Sequence, residues 1–329
     1  MNNEALVIEV TRGGFVENSH QVIAVICDSK GNRHSTWGNG DQWVFPRSTA
    51  KPLQALPLIL SGAAQDLNLT QTEIAMACSS HNGETQHTQV VSSWLSKLGM
   101  DEHTLECGSD WPLYRPATVA LADAGQAGCA LHNNCSGKHC GFLSFARHQG
   151  IDTKGYVHHQ HPVQLAVNDA MNRMMDLNVT DYPRGVDGCS IPTYALPLSN
   201  LAMAFARFAT GDGLPSDWQK ACQTLYQAMA SEPFYVAGST RHCTHVMQAY
   251  GGQVVCKTGA QGVFGAAIPS LGLGIALKAV DGTTHAAEVA LNALIRYLGI
   301  HPTDTNFEQN IKLYNRNKIN VSTVHSPVI

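Results

Sequence analysis

A chain of 329 residues with 44% hydrophobic and 14% charged residues can bury a large core and has the composition of a folded globule, not of a disordered tail. Its net charge of −4 removes the electrostatic case for nucleic-acid binding. No run of like charge, low-complexity tract or fixed-period repeat interrupts it.

The chain opens on a predicted β-hairpin. Ala5 to Val10 and Gln21 to Cys27 are rich in β-branched residues and are separated by a polar loop containing glycine. Ser48-Thr49-Ala50-Lys51-Pro52 reads as the start of a helix, because proline is tolerated in a first turn. Glu84 to Leu98 carries Val90, Val91, Trp94, Leu95 and Leu98 at helical spacing and stops at Gly99. Helices are also predicted over 162–177, 201–209 and 218–229. The last third changes character: 252–257, 263–268 and 273–280 read as short strands joined by glycine-rich turns, and 286–298 as a helix. A last edge strand is predicted around 319–324. Strands at both ends with helices between them predict an α+β fold, a helix-flanked sheet joining the two termini with a helical lobe from the middle. No linker rich in Pro, Ser or charge divides the chain, so 1–329 is read as a single catalytic unit.

Met1-Asn2-Asn3-Glu4-Ala5 has neither a basic patch nor a long apolar segment, and no stretch approaches the length of a membrane span. A cytoplasmic protein is expected, with its 10 cysteines kept as thiols. Most of them, such as Cys27, Cys107, Cys222 and Cys243, are expected to be buried as small hydrophobes.

Ser48 and Lys51 form the only Ser-x-x-Lys in the chain. A hydroxyl needs a base to become a nucleophile, and residues three apart on a helix share a face, so the amine can stand over the oxygen. Ser80-His81-Asn82 follows, then Lys257-Thr258-Gly259 after a predicted strand. Ser-x-x-Lys, Ser-x-Asn and Lys-Thr-Gly in that order are the layout of serine β-lactamases and penicillin-binding proteins. A desolvated lysine beside another cation loses proton affinity and can act as a base. The plainer alternative makes Lys257 a surface residue at a strand end and Ser80 a helix cap before Glu84. Asn133 to Gly141 and Asp187 to Pro192 are two further dense clusters. Two cysteines in one short loop plus another at a distance could bind zinc, although there is no Cys-x-x-Cys and no paired-histidine spacing. His158, His159 and His161 precede Pro162 in a polar stretch and read as a solvated loop.

Five segments together make a resemblance specific: Pro46 to Pro52, Ser79 to Glu84, Asn134 to His139, Gly185 to Ser190 and Cys256 to Ala260. As a set they are similar to the rhizobial-type L-asparaginase II family, over nearly the whole chain up to Leu298. The resemblance implies a fold similar to serine β-lactamases and glutaminases, with an antiparallel sheet, and hydrolysis of L-asparagine to aspartate and ammonia. It implies two Ser–Lys pairs, Ser48 with Lys51 and Ser80 with Lys257, and a zinc ion bound through Cys135, Cys189 and Lys138. A homodimer is implied by the same likeness. For the substrate's α-groups, Asp187 is a candidate partner of the ammonium, with Arg47, Lys138 or the metal facing the carboxylate, and Asn82 is a further candidate substrate-binding residue. A glutaminase is the nearest alternative, since one methylene separates the substrates. A non-catalytic amino-acid or zinc sensor is the alternative of another class, and the two Ser–Lys pairs argue against it.

Overall fold

The computed structural model describes residues 4–329. Gly13 and Gly14, at φ 56° and 83°, close the opening hairpin between β1 (Leu6–Arg12) and β2 (Phe15–Asp28). Two successive positive φ angles match the twist of a two-residue hairpin, which is why glycine stands at both positions. The expected polar loop is therefore mostly strand. Residues 11–20 are polar because they form a tip that projects from the core, with Phe15 76% exposed, so no apolar alternation marks them as strand.

β2 is the spine of one antiparallel sheet. Its first half pairs with β1 and its second half, on the same edge, with β3 (Arg33–Trp37). Its other edge pairs with a strand from the far end of the chain. Beyond β4 (Val255–Gly259) and β5 (Val263–Ile268), β6 (Leu273–Ala279) runs against β2 with Ile275 opposite Ile26. The order is β7 (Ile311–Tyr314), β8 (Asn320–Val324), β1, β2, β6, β5, β4. The predicted strand near 319–324 exists but is not the edge: β8 pairs with both β1 and β7, and β7 is outermost. The opposite edge is β4, which carries Lys257-Thr258-Gly259.

Every residue of β5 is buried, as a strand covered on both faces requires. Helices Leu198–Thr210 and Thr284–Tyr297 pack on the sheet. The first approaches closely because Gly265 and Gly274 lack side chains. A Cβ on Gly274 would lie 2.1 Å from the Ala202 carbonyl oxygen.

The middle of the chain is helical. The site depends on α1 (Lys51–Gln54), α2 (Gln71–Ala77), α3 (Thr85–Lys97), α4 (Ser136–His148) and, after Pro162–Met175 and Ser216–Ser231, α5 (His242–Ala249). The predicted helices end within three residues of the observed ones, whereas α2, α4 and α5 were not foreseen. α4 is buried almost all round and mixes Ser, Gly, Lys, His and Cys, so it shows no apolar stripe. It is fixed by Trp94 Nε1, which donates to Ser144 Oγ at 2.9 Å in the core. Among the described residues all ten cysteines are free thiols, nine of them buried, and no helix is long and apolar enough to cross a membrane.

Candidate active site

The site lies where the β4 edge meets the helical layer. Arg47 has φ 51°, an uncommon conformation for a residue with a side chain, and opens a 3₁₀ turn over Arg47–Ala50 that runs into α1. The Lys51 N–H donates to the Ser48 carbonyl, and residues three apart in a 3₁₀ turn eclipse each other, so Ser48 and Lys51 share one face. Pro52 falls in the first turn of α1. Gly259 lets β4 lie directly on this turn: a Cβ there would be 2.5 Å from the Pro46 carbonyl oxygen and 2.6 Å from Thr49 Oγ1.

Ser80 lies in the loop after α2, and its N–H donates to the Val236 carbonyl. It does not cap α3; Glu84 holds that position, so the helix-cap alternative for Ser80 falls away. Lys51 Nζ donates to the Ser79 carbonyl and, at 2.9 Å, to Ser80 Oγ. Lys257 Nζ reaches the same oxygen at 2.8 Å and the Thr258 carbonyl at 2.9 Å. Lys51 thus bonds Ser80 instead of the Ser48 hydroxyl, and one oxygen stands between two amines. Both lysines are fully buried, so Lys257 is no surface residue. Burial, aided by the charge on Lys51, lowers Lys257 to about 7, and burial likewise lowers Lys51. Ser48 is half-buried.

The thiol cluster adjoins this pair. Gly137 allows α4 to press on the end of α2, where a Cβ would stand 2.5 Å from the Met76 carbonyl oxygen. Cys135 Sγ contacts Asn134 Oδ1 at 3.0 Å, and Lys138 Nζ donates to Cys189 Sγ at 2.9 Å. A hydrogen bond from Cys189 is the largest influence holding the Cys135 thiol well below its usual value, against burial and with help from Lys51 and Lys138. The same hydrogen bond, together with burial, raises the Cys189 thiol well above its usual value. Burial opposes the charge on Lys138, but the Cys189 and Cys135 sulfurs outweigh it and raise its proton affinity.

Cys189 is delivered by a tight hairpin between Arg184–Val186 and Pro192–Tyr194, where Ser190 adopts φ 74°. Asp187 in that hairpin accepts from Arg47 Nε at 2.6 Å, so two residues expected to face a substrate face each other. Asn82 is also engaged, donating to Glu84 Oε1 and Thr240 Oγ1. His158 and His159 lie in a turn and bond none of these groups, and His161 Nδ1 accepts from the Val163 N–H at the start of a helix. Among the described residues no cluster of three or more His, Cys, Asp or Glu could hold a metal; the Cys135, Cys189 and Lys138 set counts only two such residues.

Some supporting groups carry no motif. His81 Nδ1 accepts from the Gly83 N–H, which places its proton on Nε2, facing Ser136 Oγ at 2.9 Å. Burial keeps this ring neutral. The Glu84 carboxylate accepts from Ser239 N–H and Oγ at 2.8 and 2.9 Å. Cys243 Sγ accepts from the Thr258 N–H at 3.3 Å, which occupies a β4 donor otherwise open to a ligand. A lone serine or cysteine outside a motif gives no sign of such contacts in sequence.

Comparison with solved structures finds Mglu in its native form at 12% identity and TM-score 0.40, covering 87% of this chain and 66% of Mglu. The chain thus spans just under two thirds of Mglu's length. A D-alanine carboxypeptidase AmpC from Burkholderia cenocepacia is 14% identical at TM-score 0.41, over 84% of this chain and 93% of its own. A β-lactamase from Mycobacterium bovis is 15% identical at TM-score 0.41, over 84% and 94%. Identities this low transfer no residue's role. Comparison with curated proteins gives no match. The family match is of another order, since the model described as L-asparaginase II aligns with residues 8–325 and so takes in the 3₁₀ turn, both buried lysines and both thiols. The chain belongs to the L-asparaginase II family of amidohydrolases.

Proposed function

We propose that this protein is an L-asparaginase, a single catalytic unit working in the cytoplasm as a homodimer, which hydrolyses L-asparagine to L-aspartate and ammonia through a serine acyl-enzyme. The observation that supports this best is Ser80 Oγ held between two buried amines, one of them lowered to about 7. An amine that is neutral at working pH can take a proton from an alcohol, whereas a site that only binds has no use for one. Ser48 is the nucleophile in this reading, because it is the half-buried hydroxyl that a substrate can reach, while Ser80 is buried.

Ser48 passes its proton to Lys51 while a proton moves on through the Ser80 hydroxyl to the neutral Lys257 amine, and the Ser48 oxygen bonds to the side-chain amide carbon. The carbon–nitrogen bond breaks as the Ser80–Lys257 pair delivers a proton to the leaving nitrogen, and ammonia departs. Water then adds to the ester carbon, giving up a proton to the same groups run in reverse, and Ser48 regains its hydrogen as aspartate leaves. Asp187, held by Arg47, receives the substrate ammonium.

Zinc is proposed at Cys135, Cys189 and Lys138. The donor set fits it: two thiols, one with strong thiolate character, and an amine stand together, and thiolates suit zinc. Lys138 has to lose its proton to join them. Bound zinc would supply a fixed positive charge that orients the substrate.

The test is ammonia release from L-asparagine beside L-glutamine and a β-lactam, with Ser48→Ala as control. Turnover of asparagine that vanishes in the variant supports the reading. Preference for glutamine would move the assignment to a glutaminase, and no release from any amide would leave a sensor.

A further inference from the structure

A free amino acid brings a carboxylate into this pocket, and the cations already described are committed. Arg47 Nε is turned to Asp187 at 2.6 Å, Lys138 Nζ to Cys189 at 2.9 Å, and Lys51 and Lys257 to Ser80. Arg241 is not. It is half-buried, and among the described residues its guanidinium is in no ion pair.

Its position is built, not incidental. The segment before it is fastened to the Ser80 loop by Glu84, which accepts from Ser239 N–H and Oγ, and by Asn82, which donates to Thr240 Oγ1 at 3.2 Å. Gly238, at φ 122°, makes this possible: a Cβ there would lie 2.6 Å from Asn82 Nδ2. The Arg241 N–H closes the turn on the Gly238 carbonyl, and two residues later Cys243 Sγ receives the Thr258 N–H of β4. Arg241 is thereby clamped between the Ser80 loop and the Lys257 strand. Its charge is near enough to depress the proton affinity of Lys257, Cys243 and His81 together.

We infer that Arg241 binds the substrate's α-carboxylate and so restricts the enzyme to amides of free α-amino acids. The inference rests on the asparaginase reading above. A planar guanidinium on a segment anchored on both sides suits a carboxylate, which it can grip through two parallel N–H donors. Glu84, Asn82, Ser239 and Thr240 then act as positioning residues for that grip.

Arg241→Gln and Arg241→Lys are compared with the parent on L-asparagine and on L-asparagine α-methyl ester, which keeps the side-chain amide and ammonium but lacks the carboxylate charge. In the parent, the ester has kcat/KM about 100-fold below asparagine, the size of one charge-assisted pair. Arg241→Gln raises KM for asparagine by a similar factor over and above its effect on the ester, which reports only the altered Lys257, and Arg241→Lys restores part of the loss. Equal losses on both substrates, or an unchanged KM for asparagine, overturn the inference. If the parent hydrolyses neither compound, the asparaginase reading fails by itself. Thermal stabilisation by L-aspartate then decides: present in the parent and lost in Arg241→Gln, it sustains the carboxylate site, and any other pattern overturns it.

Discussion

Lys257 is where the proposed chemistry can be put under most strain. Its amine falls from an ordinary 10.5 to about 7, with burial the main cause and the Lys51 charge second. At pH 7 an unperturbed lysine is neutral in about one molecule in 3,000, and a lysine at about 7 in roughly half, so the fold increases the competent base about a thousandfold. kcat/KM for asparagine is expected to rise along a limb centred near pH 7 and then level off. Lys257→Met should lose about 10²- to 10⁴-fold of activity, the usual contribution of a general base, and the limb with it. Lys257→Arg, always charged, should do no better. The same shift fixes a stability signature. Between about pH 7 and 10.5 the unfolded chain holds a proton on this amine that the folded chain has released, so stability gains on raising the pH. The gain is about 1.4 kcal/mol per pH unit at most, or of the order of 4 kcal/mol across the window. Urea titrations of parent and Lys257→Met at pH 7 and pH 10 read it as a difference between the two proteins. A limb near pH 7 that persists in the residual activity of Lys257→Met, together with a stability difference that ignores pH, would refute the reasoning.

Ser48→Ala should stay folded, with the same melting temperature, and lose more than about 10³-fold in turnover. Ser80→Ala should lose both activity and about 1–3 kcal/mol of stability, because it strips a shared partner from two buried amines. Chelation of the proposed zinc is expected to raise KM for asparagine more than it lowers kcat; abolished turnover at saturating substrate would instead make the ion the source of the nucleophile. Gly259→Ala should push β4 off the Ser48 turn, because the new methyl meets backbone oxygen at 2.5 Å. It should cost about 1–3 kcal/mol by denaturant titration, with a clear fall in kcat.

What could be read in the sequence was whatever depends on neighbours along the chain. Val263–Ile268 matches the predicted strand to the residue, because an apolar run this short between glycine turns favours a buried strand over a helix. Ser48 and Lys51 share a face because they stand three positions apart in a helical turn. What could not be read was which distant group each side chain would meet. The Lys51 amine finds Ser80, 29 residues away, and Arg47 finds Asp187, 140 residues away. Spacing within a motif carries no information about either pairing. α4 escaped for a related reason: a helix buried on all sides has no amphipathic stripe, and its Ser, Gly, Lys and His are there for contacts with other segments. Arg241 has no motif at all, and its interest comes only from the neighbours to which Glu84 and Asn82 tie it.

The second amine on Ser80 comes from a strand that begins at Val255 and is held in place by pairing with Val263–Ile268. A chain emerging from the ribosome therefore carries the Ser48 turn and the Ser80 loop through three quarters of its synthesis without the partner that would make them reactive. On the proposed mechanism the full reactivity of these hydroxyls waits until the far end folds back, so prematurely terminated copies lack the amine that Lys257 supplies.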